Sequence, residues 1–375
     1  MITLKELTTP SQLKEFVKFP FQLYKNEPNW VPPIIADELE SMDPKKNPVF
    51  KNAEARYFLA LKDGKAVGRI CAIINHIEIK EQGKPKMRFG WFDTIDDIEV
   101  TKSLLNKVEE IGHQHQLEYM EGPVGFSNME KAGLLVEGFE HKNTMITWYN
   151  YPYYKKHFET LGFETASEWV EYKIKIDPPE KQNPKVKKFA DIIAKRYNLT
   201  PLQFHSSADI KPYVDEMFGL LNKTYDKLET FVPIQQYQID HYKEKYIKYI
   251  HPDFIKCIKD ESGALVAFAI TMPSFTEALK KANGRLFPFG FYHLLRAKKK
   301  NDRASFYLIG VDPEYQNKGV TAVIFQMMQD LFNQRGITDV ETNPELASNK
   351  AIQQMWNNYD HELHKRRRTY RKDIQ

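Results

Sequence analysis

The sequence predicts an α/β (α+β) fold built from two similar domains in tandem, and three observations carry that expectation. Residues 305–342 read as a strand, a tight turn, a helix and a second strand, which is one βαβ unit. Tyr151 to Ile176 can be laid over Asn349 to Ile374 without gaps, which places Phe158 on Trp356 and Tyr172 on Tyr370. Between the repeats, Asp177-Pro178-Pro179-Glu180-Lys181-Gln182-Asn183-Pro184 interrupts every periodic pattern with proline and charge. At 375 residues the chain has room for about two average domains. The expected boundaries are 1–176 and 199–375, joined by a linker and connecting helix over 177–198.

Each element has its own local reason. Tyr57 to Lys62 and Ala66 to Ile70 flank Asp63-Gly64, a dipeptide that tolerates the positive φ of a tight hairpin turn. Phe254 to Asp260 and Leu265 to Ala269 form the counterpart hairpin of the second half. Lys185 to Tyr197 has helical spacing, with Val186, Phe189, Ile192 and Ile193 expected to face inward. Ser305 to Val311 is a β-branched and aromatic run closed by Asp312-Pro313. The helix after it carries Val320, Val323, Ile324, Met327, Met328 and Leu331 on one face and stops at Gly336. Ile337 to Thr342 is the next strand.

The turn between Val311 and that helix is the most informative stretch. The first amides of a helix have no partner within it, and they coincide with the positive end of its dipole. Such a place holds a diphosphate by backbone N–H groups, and Gly319 leaves the approach clear of a side chain. In the first half the corresponding stretch is Phe92-Asp93-Thr94-Ile95-Asp96-Asp97-Ile98-Glu99, which is acidic and repels phosphate. The first domain therefore reads as a degenerate copy.

Composition narrows the setting. Hydrophobic residues make up 42% of the chain and aromatic ones 13%, enough for sizeable cores, while a net charge of +4 gives no argument for nucleic acid. Cys71 and Cys257 each sit in an apolar run, as buried thiols of a reducing compartment do. No apolar run approaches the roughly 18 residues of a membrane span, so a soluble cytoplasmic protein is expected, with neither a membrane nor a nucleic-acid partner. The basic run Lys365 to Lys372 alternates with apolar residues and reads as an exposed final strand. His113 and His115 point to different helix faces, and His361 and His364 read as surface histidines, so no metal is expected.

The motif Gln316-x-x-Gly319-x-Thr321 after a strand, followed by Asn343-Pro344 and by Asn349 opening a helix, resembles the Gcn5-related N-acetyltransferase superfamily. Thr321 departs from the small residue usual at its position. The resemblance covers the second half from about Leu202 to Arg371 and the first half faintly. It implies in each domain a mixed, mostly antiparallel sheet flanked by helices, and acetyl-CoA or another acyl-CoA as co-substrate. Ile309, Gly310 and Val311 would offer backbone groups to the pantetheine arm. The turn of Gln316, Asn317, Lys318, Gly319, Val320 and Thr321 would hold the pyrophosphate, and Asn349 would hydrogen-bond the cofactor.

The implied reaction is transfer of an acyl group, expected to be acetyl, to a primary amine of a small molecule or peptide. Such a reaction needs a base for the amine proton, a donor for the carbonyl oxygen and an acid for the leaving thiolate. Glu341 is the expected base by position. The family's usual tyrosine acid is replaced here by Trp356, which leaves Tyr359 as the candidate acid. Tyr225 and Phe231, in the segment from Leu221 to Pro233, are expected to contact the acceptor. Residues 273–300 form an insertion with an aromatic loop ending in Lys298-Lys299-Lys300, read as a solvated face. Two other function classes fit the same architecture: a non-catalytic acyl-CoA-binding or regulatory protein, and an aminoacyl-tRNA-dependent transferase.

Overall fold

The computed structural model of the chain describes every residue except 128, 227, 229, 230 and 246–249, and at 351 the backbone alone. Lys227, Glu229 and Thr230 of the expected acceptor segment thus lie outside the described residues. The first half runs β1 (Ile2–Leu7), α1 (Pro10–Leu23), α2 (Ile35–Ser41), β2 (Ala53–Lys62), β3 (Lys65–Asn75), α3 (His76–Lys80), β4 (Lys86–Thr94), α4 (Ile98–Gln114), β5 (Tyr119–Gly122), β6 (Leu134–Glu137), α5 (Tyr153–Thr160) and β7 (Glu164–Lys175). The second runs α6 (Pro184–Arg196), β8 (Thr200–Leu202), α7 (Ser207–Ile210), α8 (Val214–Tyr225), α9 (Gln236–Lys245), β9 (Ile255–Lys259), β10 (Leu265–Pro273), α10 (Thr276–Ala282), α11 (Gly290–Lys299), β11 (Arg303–Val311), α12 (Val320–Arg335), β12 (Asp339–Glu341), β13 (Glu345–Leu346), α13 (Lys350–Trp356) and β14 (His361–Asp373).

The two repeats are α5–β7 and α13–β14, and their strands cross over. Strand order through the single 14-stranded sheet is β1-β2-β3-β4-β5-β14-β7-β12-β11-β10-β9-β8, with β13 on β7 and β6 on β14. The last strand of the chain therefore completes the first half beside β5, and β7 completes the second half beside β12. The cores follow the exchange: Val170, Tyr172 and Ile174 of β7 pack with α12, while Tyr370 of β14 packs with α4. Each repeat is a helix followed by a strand, and the neighbours of these strands are not those that chain order suggests.

The exchange is pinned by a buried charge cluster. Glu171 on β7 accepts from Lys365 Nζ at 3.4 Å and from the guanidinium of Arg367, and Lys365 also donates to Glu341. The ring of His364 lies 2.9 Å from the Glu171 carbonyl oxygen and 2.8 Å from the Glu341 carboxylate. Burial opposes ionisation of Glu171, but Arg367 and Lys365 outweigh it and hold its carboxyl below the usual range. The basic run is thus a central strand rather than an exposed one, with Lys365, Arg367 and Thr369 buried, and His364 is an interior residue rather than a surface one. Alternating charge describes a solvated strand or a strand whose charges meet buried partners equally well. On α6, Ala190 and Ile193 are buried as one face, while Phe189 and Ile192 are turned outward, contrary to the helical spacing read from sequence.

Candidate functional site

The second half contains an open fork. Strands β11 and β12 run parallel and pair as far as Ser305↔Glu341. Beyond that point β11 bulges at Tyr307, where its register against β10 shifts between Ile270 and Thr271. The other arm turns away at Asn343-Pro344 and pairs through β13 with β7, Glu345↔Val170 and Leu346↔Trp169. The two arms part, and the side-chain amide of Asn343 donates to the Tyr307 carbonyl across the apex.

Register decides which backbone groups face the opening. Asp312 N donates to Val266 O at 2.8 Å, so Val311 and Ala267 are a non-hydrogen-bonded pair. The peptide groups of Gly310 and Leu308 are therefore turned to β10, and those of Ile309 and Val311 to the fork. Gly310 is corrected on this ground: its backbone belongs to the ladder. The carbonyl of Ile309 accepts from Tyr225 Oη at 3.2 Å and that of Val311 from Thr224 Oγ1 at 3.2 Å, while among the described residues no strand pairs with their N–H groups.

Below the fork, α12 begins without a side-chain cap at Gly319, whose φ of 79° is left-handed and favours glycine. A Cβ there would also lie 3.2 Å from the Phe189 ring and 3.3 Å from Ile193 of α6. Among the described residues, the amides of Gly319, Val320 and Thr321 have no protein acceptor, whereas Lys318 N is spent on Tyr315 O and Ala322 N on Gly319 O. Gln316 braces the turn through Nε2 to Val311 O at 3.2 Å, and Asn317 is exposed. The Lys318 ammonium stands 4.4 Å from the centre of the Tyr315 ring. Asn349, uncapped at the start of α13, lies on the same fork.

The first half has the same strands in a closed arrangement. Val124 N donates to Phe89 O at 2.8 Å, and a Cβ on Gly90 would lie 2.2 Å from Val124 O, so the chain itself zips that fork. Asp97 caps α4 by accepting from Glu99 N at 3.1 Å, and the Tyr154 hydroxyl accepts from Thr94 N at 2.8 Å. The amides that would receive a phosphate are occupied by the protein's own oxygens.

The open fork leads into a cavity of about 450 Å³ between the halves. Its walls are mostly apolar: Met145, Ile146, Trp148 and Trp169 face Phe306, Leu308 and Ile352, with Leu228 and Met129 closing the side. Among the described residues four carboxyls line it: Asp37, Glu38, Glu130 and Glu345. Burial pushes Glu345 up to about 8, offset in part by the Trp356 indole N–H, which lies 3.2 Å from both carboxyl oxygens. Burial likewise raises Glu130 to about 7, against hydrogen bonds from the Ser127 and Phe126 amides. Glu38 accepts from the Trp91 indole at 2.6 Å and lies 3.5 Å from Lys131 Nζ. Among the described residues, the Oδ1 atom of Asn343 at the apex of the fork is a buried acceptor without a partner.

Several expected residues have other work. Glu341 is no base: burial alone would raise its carboxyl, but Lys365 and His364 hold it down at about 2, and it does not line the cavity. Tyr359 is not on the cavity wall either; its ring packs 6.5 Å from those of Trp356 and Phe325, and burial raises its hydroxyl to about 12. Phe231 lies behind the wall, fully buried, with its ring 5.9 Å from that of Tyr225. Tyr225 does line the cavity, its hydroxyl raised to about 12 first by burial and then by the Glu345 charge. Sequence reasoning missed Glu345, four residues past Glu341; the strand break at Asn343-Pro344 was the available signal, since a wall residue must follow the point where the arms part. Glu38 and Glu130 carry no local signal.

A forked parallel pair, an uncapped helix start beneath it and a second, closed copy define the tandem form of the Gcn5-related N-acetyltransferase fold. A tandem protein of that superfamily from the clavulanic acid biosynthesis pathway superposes on 100% of this chain and 99% of its own, with a TM-score of 0.58 at 10% identity. No protein-family model matches the chain. The chain belongs to the family of protein YghO of Escherichia coli strain K12, with which it is 30% identical over 97% of this chain and 93% of that one. The bacterial ceramide synthase of Caulobacter vibrioides is 26% identical over 98% of this chain and 96% of that protein. Among the described residues, no helix is long and apolar enough to cross a membrane.

Proposed function

We propose that the chain is an acyl-CoA-dependent N-acyltransferase whose acceptor is a primary amine on a long apolar chain. The observation that carries the reading is the contrast between the two forks: one is zipped and capped by the protein, the other offers the amides of Ile309, Val311, Gly319, Val320 and Thr321 beside a cavity. The pyrophosphate would lie on the turn, the pantetheine arm along Ile309 and Val311, and the thioester at the apex near Tyr307 and Asn343. The apolar cavity, of a size that encloses a drug-sized ligand, would take the acceptor's chain. A relative named for ceramide, the amide of a long-chain amine, supports that class of acceptor.

In the proposed reaction the amine nitrogen bonds to the thioester carbonyl carbon and the carbon–sulfur bond breaks. Ionised Glu345 takes the proton that the nitrogen loses and returns it to the departing thiolate, so one carboxyl serves as base and then as acid. Asn343 Oδ1 accepts from the attacking nitrogen and orients it. Trp356 cannot protonate a thiolate; its indole positions Glu345. Glu38 and Glu130 would read the polar end of the acceptor.

The test is free-thiol release with acyl-CoAs from acetyl to palmitoyl against a panel of amines. Release is expected with long-chain primary amines and amino alcohols, and much less with lysine or short polyamines. No release with any pair would overturn the reading. A second expectation concerns stoichiometry: equilibrium binding should saturate at one acyl-CoA per chain, and Asp97→Gly, which uncaps the first-half helix, should leave that value unchanged because its fork stays zipped.

A further inference from the structure

We propose that the α10–α11 insertion rests on the surface of an anionic phospholipid bilayer. Its inner side is fixed: Leu279, Ala282, Leu286 and Leu294 pack against Val31, Ile34 and Met145. Its outer side carries the main concentration of exposed large apolar side chains among the described residues: Phe287 at 76% exposure, Phe289 at 72%, Phe291 at 43%, Tyr292 at 56% and Leu295 at 53%. Scattered apolar residues are ordinary on a surface, but five within nine positions of one loop and helix form a patch that water disfavours. Hydrogen bonds fix the segment's shape, with Phe291 N donating to Leu286 O at 2.8 Å and Arg285 N to Ala282 O at 3.0 Å, so the rings are presented by a built structure.

Charge selects the occupant. Residues 278–300 include seven Lys and Arg and no Asp or Glu. Arg285, Arg296, Lys299 and Lys300 are exposed around the aromatic patch. An apolar face rimmed by cations matches a layer whose interior is hydrocarbon and whose surface is negative, with aromatic rings at headgroup depth and the basic side chains on the phosphates. The expectation of no membrane partner rested on the lack of a spanning run, which leaves interfacial contact open.

The patch also stands beside the cavity. Met145 packs under the insertion and lines the cavity with Ile146, and both residues, with Tyr307, border a small pocket against Phe275 and Thr276. A lipid-borne substrate would thus be delivered next to the fork. That purpose rests on the proposed function; the contact itself rests on the exposed residues alone.

The test is co-sedimentation with vesicles of phosphatidylglycerol and phosphatidylethanolamine, compared with vesicles of phosphatidylcholine, with no acyl-CoA or amine present. The chain is expected to sediment with the anionic vesicles and to be released by salt. Phe287→Ser/Phe289→Ser/Phe291→Ser should weaken that binding by at least about tenfold, and Lys299→Glu/Lys300→Glu should weaken it on anionic vesicles. In Tyr292→Trp, tryptophan emission should shift to the blue on adding anionic vesicles. A chain that stays in the supernatant with both vesicle types overturns the proposal, as does a triple serine variant that binds as well as the parent. A dimer that the serine variant dissolves, without vesicle binding by the parent, would assign the patch to a second copy of the chain and equally overturn it.

Discussion

Glu345→Gln is expected to lower turnover by about 10²- to 10⁴-fold, the usual worth of a positioned acid–base group, while acyl-CoA binding is unchanged. The amide keeps the size of the side chain and a partner for the Trp356 indole, so the cavity wall is preserved; what is lost is the capacity to hold a proton. Two further readings separate this from a structural effect. Turnover of the parent should rise with pH through the range near 8, where the carboxyl ionises, and the variant should lack that limb. Stability should move in the opposite sense. The folded carboxyl keeps its proton up to about 8 whereas the unfolded one releases it near 4.5, so this stabilisation is complete below the unfolded value and is lost as pH rises through the folded one. The glutamine variant, with no charge to bury, should therefore gain stability relative to the parent as pH rises through that window. A pH–rate profile with the limb intact in the variant would remove Glu345 from the chemistry.

Glu171→Leu is expected to cost about 3–5 kcal/mol, the typical penalty for removing one partner of a buried ion cluster. Lys365 and Arg367 both depend on that carboxylate, and both are buried on β14 where the two halves meet. Glu341 would still face Lys365, but of its partners among the described residues the Arg367 guanidinium would keep the Trp148 carbonyl alone, at 2.6 Å. Urea unfolding at constant pH measures the loss. Because β7 and β14 each complete the opposite half, both halves should lose stability together in that experiment; a transition confined to one half would contradict the exchanged arrangement. Glu171→Gln, which keeps hydrogen-bonding capacity, should cost less.

Local signals reached the βαβ unit, the Asp63-Gly64 hairpin, the gapless repeat and the turn at Gly319, because each is written in spacing or in a residue that a backbone conformation demands. The exchange of β7 and β14 was not legible. A strand's alternation says which face is buried but not which neighbour supplies the next hydrogen bonds, and the two repeats are alike enough to fill either place. The same limit misplaced Lys365 and Arg367, whose partner Glu171 stands far away in the chain. At the site, Glu341 and Glu345 differ in role because the strand breaks between them: before Asn343-Pro344 the carboxylate meets the cations of β14, and after it the carboxyl stands in a mostly apolar wall with the neutral Trp356 indole as its partner. Glu38 and Glu130 come to the same cavity from the first half by tertiary folding alone.

The most direct test of the account is calorimetric titration of the chain with acetyl-CoA and with palmitoyl-CoA, beside the variants Gly319→Glu/Asn349→Ala and Thr321→Asp. The first places bulk and charge in the turn. The second adds a carboxylate at the start of α12, where the helix dipole favours it and the fold is kept, yet where it opposes a pyrophosphate. Binding in the micromolar range at one site per chain, lost in both variants while Thr321→Asp keeps its thermal transition, is the predicted result. Failure of every acyl-CoA to bind, or binding that Thr321→Asp leaves untouched, would contradict the assignment of the second-half fork to coenzyme A.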